Sequence, residues 1–297
     1  MSDSSGFPIE LLAFVSCQKD QAPLRADTDS RLIAEGTAVC AKCGARYGIS
    51  NGILNLLLEQ KPIEGVAAQE VQARDAEAES YDSRFSTARN ETEIPSTLAG
   101  LDLKNKTILE LGCGTGRLTM FLREQAKAVV AGDFSRESLR VLSRKLAGTS
   151  NVALVLADAV QLSLPENQFD LVVSSQLIEH IGARDRQTIF RQIRHSLRPG
   201  GTFVCTVYHQ SLLRKIRHQP QDGFHSSQVP FHYFKREELR GELAEHFLVR
   251  EVRPIQIPVP LRRIGLPAGW LSRTSENIPL LNSFGSLLKV EARKMAE

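Results

Sequence analysis

From Lys106 onward, apolar runs alternate regularly with amphipathic stretches, and this alternation leaves few folds open to the chain. TILELG, AVVAGDF, VALVLAD, FDLVVSS and GTFVCTV read as buried strands, continuous in apolar residues rather than alternating with polar ones. Between them, RLTMFLREQ, ESLRVLSRKLA and RQTIFRQIRHSL repeat apolar residues every three or four positions, as helices with one buried face do. Strands separated by helices run parallel, and their crossovers are right-handed. The expectation is an α/β fold with a mostly parallel sheet and helices on both faces. Further on, REELRGELAEHF predicts a helix, and LVREVRPIQI and GSLLKVEARK predict two more strands.

The segment LELGCGTGR puts Gly112, Gly114 and Gly116 between the first of these strands and a helix. Glycines there let the backbone turn tightly and approach a ligand, and the helix N-terminus offers free N–H groups to it. Dinucleotide enzymes use a related loop, so the turn alone does not name the ligand. The ends of the next strands narrow the choice, because an open parallel sheet binds ligands at the carboxyl ends of its strands. Asp133 ends the second strand in AGDFS, where a carboxylate can accept from both hydroxyls of a ribose. Asp158 ends the third in LADA, placed to accept from an adenine amino group beside the Ala159 backbone. Either carboxylate alone could equally be a helix cap or turn residue.

As an ordered set, LELGCGTGR, AGDFSRESL, LADAVQLSLPENQFDLVVSSQLIEHI and LRPGG resemble the motifs of class I S-adenosylmethionine-dependent methyltransferases, in particular the ubiquinone and menaquinone biosynthesis group. The resemblance covers about residues 105–207 and implies a Rossmann-like, seven-stranded, mostly parallel sheet. It also implies that Glu110, Gly112 and Gly114 contact the methionyl part of the cofactor, Asp133 the ribose, and Asp158 with Ala159 the adenine. Cys113, Phe134 and Ser175 are expected to line the same pocket, Cys113 by packing within the turn rather than as a nucleophile. In that family a tyrosine of the preceding helix reaches the cofactor carboxylate, and Tyr81 in ESYDSRF stands at the matching position.

Methyl transfer from a sulfonium is an in-line displacement, so the protein mainly aligns its reactants. A base is needed where the acceptor must lose a proton. His180, just past the fourth strand, is the candidate catalytic residue, and its alternative role is packing or capping. Tyr208, His209, His225, His232 and Tyr233 fall in an insertion near 208–234, expected to cover the substrate. The proline-rich 254–270 stretch is a second expected wall of that pocket.

The first 60 residues read as a small ribbon of short strands, followed by a helical linker over 61–100 that contributes to the cofactor pocket. The methyltransferase domain then spans 101–297. The spacing C-x22-C-x2-C-G-x2-Y, with NGILNLL after it, resembles the zinc-ribbon family of tRNA-methyltransferase activators. Such a ribbon would carry two C-x2-C pairs, whereas here Cys17 is followed at the matching position by Asp20. Cys17, Asp20, Cys40 and Cys43 form a candidate structural zinc set, the alternative being a degenerate ribbon without metal.

Composition sets the remaining limits. No apolar run reaches the ~18 to 20 residues of a membrane helix, and no secretory leader is visible, so a cytoplasmic protein is expected. Five cysteines, an odd number, argue against a disulfide framework. From Phe190 onward 17 Lys and Arg face 9 Asp and Glu, which fits an anionic partner or a solvated basic face. The expected function is methyl transfer to a small-molecule acceptor, an anionic one included. An RNA base methyltransferase and a non-catalytic cofactor-binding scaffold are the alternatives. Against RNA, the fourth strand ends in SSQL rather than in an Asn/Asp-Pro-Pro-aromatic signature.

Overall fold

The computed structural model describes residues 6–57, 63–84, 87–257 and 275–295. A continuous parallel core is built from β7 (Thr107–Leu111), β8 (Ala128–Asp133), β9 (Val152–Leu156), β10 (Phe169–Ser175) and β11 (Leu197–Tyr208). Every residue of β7, β8 and β9 is buried, as expected of strands covered on both faces. Two antiparallel strands, β14 (Leu248–Ile255) and β15 (Leu287–Arg293), complete the far edge. The order β14-β15-β11-β10-β7-β8-β9 supplies the seven strands of the expected sheet.

The sheet does not end at β9. The ribbon strands β2 (Leu24–Ala26), β4 (Glu35–Cys40), β5 (Arg46–Ser50) and β6 (Ile53–Asn55) continue it to eleven. The junction is parallel, Ile53 opposite Leu154 and Asn55 opposite Leu156. An edge strand as apolar as β9 carries a row of open N–H and C=O groups, and β6 closes it. Only β1 (Phe7–Pro8) and β3 (Leu32–Ile33) of the ribbon pair apart from this sheet. Phe7, Leu11, Leu12 and Val15 belong to the same apolar cluster as Val155, Leu162, Phe169 and Phe190, so the ribbon and the parallel sheet share one core.

Helices α3 (Thr119–Leu122), α4 (Arg136–Lys145) and α5 (Ala183–Ser196) cover the sheet. α4 shows its sequence logic well: Ser135 caps it by accepting from the Ser138 amide, Glu137 sits in its first turn, and Arg144 and Lys145 sit in its last. Its Leu139 and Leu142 are fully buried in the second cluster, which also takes in Ile53 of the ribbon. The strands end along one line, and α1 (Gly65–Tyr81) and α2 (Thr87–Leu98) bring further residues to that end. α2 runs on through Pro95, because Ile94, Ser96 and Thr97 are buried and tertiary packing overrides the local break. After β11 come α6 (Leu212–Ile216) and a hairpin of β12 (Asp222–Phe224) and β13 (Pro230–His232), then α7 (Arg236–Ala244); α8 (Pro279–Asn282) precedes β15. The 258–270 part of the proline-rich wall lies outside the described residues. Among the described residues no helix is long and apolar enough to cross a membrane.

Candidate functional site

The glycine turn is forced by its surroundings as much as by its own flexibility. Gly116 has φ +88°, and a Cβ there would stand 2.2 Å from Leu142 Cδ1 of α4. Gly112 has φ +74°, and its Cβ would meet the Leu177 side chain at 3.1 Å. Bare backbone therefore lines the floor of a narrow cleft of about 90 Å³. Tyr81, Glu110, Gly112, Cys113, Gly114, Asp133, Phe134, Ser175 and His180 all border it. Asp158 and Ala159 border instead an adjoining cavity of about 950 Å³, which shares Glu70, Gly112, Asp133, Phe134, Leu177 and His180 with the cleft.

The carboxylates are placed by hydrogen bonds. Asp133 accepts from the Gly114 amide through Oδ2 and from the Ser135 amide through Oδ1, both at 2.8 Å. Burial raises its pKa, and those two amides together with Arg74 offset part of the rise. A carboxylate has about four lone-pair positions, so two accepted bonds leave room for two ligand hydroxyls. Asp158 is likewise held, accepting from Val160 N at 2.8 Å and Gln161 Nε2 at 3.0 Å. Glu110 accepts from Thr119 Oγ1 at 2.7 Å, and burial pushes its carboxyl up to about 8. Ser175 Oγ lies 3.0 Å from Thr206 Oγ1.

Matches to known proteins agree with this arrangement. A family model described as a methyltransferase domain matches residues 108–201. An uncharacterised methyltransferase of Geobacillus sp. (strain WCH70) is 30% identical over 156 residues, 51% of this chain and 71% of that protein. The chain belongs to the S-adenosylmethionine-dependent methyltransferase family. The demethylmenaquinone methyltransferase of Bacillus licheniformis is 30% identical over 105 residues, 34% of this chain and 44% of that one. Burkholderia thailandensis 1,6-didemethyltoxoflavin-N1-methyltransferase shares the fold, with a TM-score of 0.57 at 18% identity over 86% of this chain and 98% of that one. The chain spans less than half the length of the first curated relatives it matches, 40 to 46%.

Within this methyltransferase site, the structure adds residues that motif reading missed. Buried Glu70 and half-buried Arg74 of α1 form an ion pair at 3.2 Å bordering the cleft, with Asp133 among the charges that Arg74 faces. Glu93 of α2 joins the cleft from the other side, accepting from Arg117 at 3.2 Å and from Gln176. Their signal is present in the sequence: Glu70, Arg74 and Tyr81 recur at four and seven positions, one stripe of a helix otherwise rich in polar residues. Glu179, beside His180, is 2% exposed, and neither carboxyl oxygen has a hydrogen-bond partner among the described residues.

His180 sits on the wall common to cleft and cavity. Its Nδ1 lies 2.7 Å from the Pro230 carbonyl, which can only accept, so the neutral ring carries its proton on Nδ1 and presents a lone pair on Nε2. Burial, with the Arg74 charge, pushes its pKa down to about 3. Accepting a proton at pH 7 would then cost about 5 kcal/mol, at roughly 1.36 kcal/mol for each pH unit between that pKa and neutrality. The environment therefore opposes the role of proton acceptor assigned to His180 from sequence. Of the insertion residues, Asp222, Phe224, Pro230, Phe231 and His232 border the larger cavity, and His232 bridges Asp222 and Glu238 at 2.7 Å each. His209 turns away, its Nδ1 2.7 Å from Gly285 O, while Tyr208 and Tyr233 stack on each other.

At the ribbon tip the ligand atoms of Cys17, Asp20, Cys40 and Cys43 lie within 4.8 Å of one another. Cys17 Sγ is 3.6 Å from Cys43 Sγ, and Cys40 Sγ is 3.3 Å from Asp20 Oδ1. Tetrahedral zinc with bonds of about 2.3 Å to sulfur and 2.0 Å to oxygen requires edges of roughly 3.8 and 3.5 Å, so the donor set fits that ion. The Lys42 and Cys43 amides donate to Cys40 Sγ at 3.3 and 3.4 Å, and although burial opposes ionisation they bring its thiol below the usual range. Asp20 is held near 2 by the Ala22 amide, against the effect of burial. Such N–H···S contacts stabilise thiolate ligands. With every donor a protein group, an ion here would be structural.

Proposed function

We propose that this chain transfers a methyl group from S-adenosylmethionine to a small-molecule acceptor held in the 950 Å³ cavity. The observation that carries this reading is the shared wall: Gly112, Asp133 and His180 border both the glycine-turn cleft and the larger cavity, so a donor with its methionyl end in the cleft and its adenine at Asp158 leaves the rest of the cavity to an acceptor beside it. When bound, S-adenosylmethionine supplies an electrophilic methyl carbon and takes the bonding electrons onto sulfur.

The chain's residues then divide the work. The 112–116 backbone approaches the methionyl portion, with Glu110 beneath and Arg74 and Tyr81 facing its carboxylate from α1. Asp133 receives the ribose hydroxyls on its two remaining lone-pair positions, and Asp158 receives the adenine amino group. His180 orients the acceptor by accepting a hydrogen bond at Nε2, a positioning role rather than removal of a proton. Zinc at the ribbon tip would be held by Cys17, Asp20, Cys40 and Cys43, remote in sequence from the reacting groups.

The acceptor is neutral or cationic. Nine acidic side chains border the larger cavity, those of Glu64, Glu70, Asp133, Asp158, Glu179, Asp185, Asp222, Glu238 and Glu242, and of these burial keeps Glu179 protonated at neutral pH. Arg186 is the one Arg or Lys among its described lining residues, and Glu242 already pairs with it in two contacts. An anion or an RNA strand would meet a repulsive field there. The basic residues counted in the C-terminal part, such as Arg214, Lys215 and Arg217, lie elsewhere, on or beside α6. Incubating the protein with methyl-labelled donor and metabolite fractions separated by charge tests both points. Label should enter the neutral or cationic fraction; label only in the anionic fraction, or in RNA with binding that falls steeply with salt, would reverse the assignment.

A further inference from the structure

The ribbon reaches the cofactor side of the molecule through two residues that flank a ligand of the cysteine cluster. Ser16 Oγ and Gln18 Nε2 each donate to the Ser163 carbonyl at 3.0 Å, and the Ser163 amide donates back to Gln18 Oε1 at 2.6 Å. Between them Cys17 sends its Sγ into the cluster. Ser163 closes the 158–163 turn, in which the Gln161 and Leu162 amides donate to Asp158 O at 3.0 and 2.8 Å. Asp158, Ala159, Val160, Gln161 and Leu162 all border the large cavity. The same ribbon also holds the strand that delivers this turn, because β6 pairs with β9 and Leu56 N donates to Leu156 O at 2.9 Å.

The clamp is anchored on its own side at Cys17. Gln21 N donates to Cys17 O at 2.9 Å, Cys17 N to Ala22 O at 2.9 Å, and Gln18 N to Tyr47 OH at 2.9 Å. Tyr47 OH in turn lies 3.2 Å from Cys17 Sγ. The 16–18 segment is thus spanned between the cluster and Ser163, with the buried Cys17 side chain also contacted by Tyr47 OH and by the Lys19 amide at 3.4 Å.

We propose that a metal ion held by Cys17, Asp20, Cys40 and Cys43 strengthens cofactor binding, by fixing the 16–18 segment that clamps the 158–163 turn. The inference rests on the cofactor assignment under the proposed function. With Cys17 coordinated, Ser16 and Gln18 cannot leave Ser163 unless a metal–sulfur bond breaks or the backbone distorts. Without the ion, hydrogen bonds rather than metal–ligand bonds hold the cluster, and more of the turn's ordering falls to the moment the adenine arrives. That ordering cost is what the ion removes in advance. Coupling of this kind is reciprocal, so bound cofactor must also slow loss of the metal. Breaking the clamp forfeits up to three hydrogen bonds, each of modest net worth, and the expected effect on affinity is roughly tenfold.

The test uses the full chain, prepared zinc-loaded and after dialysis against chelator, with zinc content measured in each and S-adenosylhomocysteine titrated by calorimetry. The zinc-loaded form should bind about tenfold more tightly, and amides of the 158–163 turn should exchange hydrogen more slowly in it. Gln18→Ala separates this from general loosening of the ribbon, since it removes two of the clamp's three hydrogen bonds and leaves all four ligands in place. That variant should retain zinc and bind S-adenosylhomocysteine equally weakly with and without it. In the reverse direction, S-adenosylhomocysteine should slow capture of zinc by a chromogenic chelator. Equal affinity in the two forms, a protein that takes up no zinc, or a Gln18→Ala variant with the coupling intact would each overturn the inference. Binding in no form at all would overturn the cofactor assignment, and the coupling with it.

Discussion

Glu179 offers a quantitative test of how burial sets the electrostatics of this site. Its carboxyl is 2% exposed, and burial pushes its pKa from 4.5 up to about 8, with the Arg74 charge offsetting only part of the cost. In the unfolded chain the group ionises near its ordinary value, whereas in the folded protein it stays protonated until about pH 8. Folding therefore takes up a proton between those values, and stability is lost as pH rises through that window. The penalty is nil below about pH 4, about 3 kcal/mol at pH 7 and about 5 kcal/mol above about pH 8.5, growing by roughly 1.36 kcal/mol per pH unit across the window. Glu179→Gln keeps the shape and cannot ionise. Urea denaturation of both proteins from about pH 4 to 9 should show the variant gaining on the parent as pH rises, by up to about 3 kcal/mol at pH 7. Any fixed cost of burying the amide moves that difference equally at every pH. A stability difference independent of pH would refute the claim that this carboxyl is destabilised by burial.

His180→Ala should lower turnover by roughly 10- to 100-fold, with cofactor affinity little changed. Because burial holds the parent's imidazole neutral down to about pH 3, the parent's kcat against pH should show no inflection near 6.5 that the variant lacks; such an inflection would restore His180 as a proton acceptor. Asp133→Asn should weaken S-adenosylhomocysteine binding by about 2 kcal/mol, since bonds to a charged acceptor are the stronger kind, and unchanged calorimetric affinity would remove Asp133 from the ribose site. Gly116→Ala combines φ +88° with a 2.2 Å clash against Leu142, so it should cost about 2 to 4 kcal/mol in stability. A fully stable variant would show that the turn can relax away from α4.

What the sequence determined by itself is the local chemistry of the cofactor end. Strand-helix alternation, the glycine turn and the carboxylates after β8 and β9 are all read within a few residues, because steric limits on a tight turn and the placement of strand ends are local properties. The cysteine spacing likewise brought Cys17, Asp20, Cys40 and Cys43 to notice, and folding converges them because β2, β4 and β5 are neighbours joined by short connections. Only the tertiary structure decided the rest. Glu70 and Arg74 look like solvated helix residues until α1 is laid over the strand ends, where burial makes them part of the cleft. His180 looks like a base poised near neutrality until the loss of solvent lowers its pKa and the hairpin carbonyl of Pro230 fixes its proton on Nδ1. The ribbon looks like a separate module until β6 pairs with β9 and Gln18 meets Ser163, 145 residues away. In each case the deciding term is desolvation or an edge-strand hydrogen bond, and both depend on which distant segment arrives rather than on the residues that receive it.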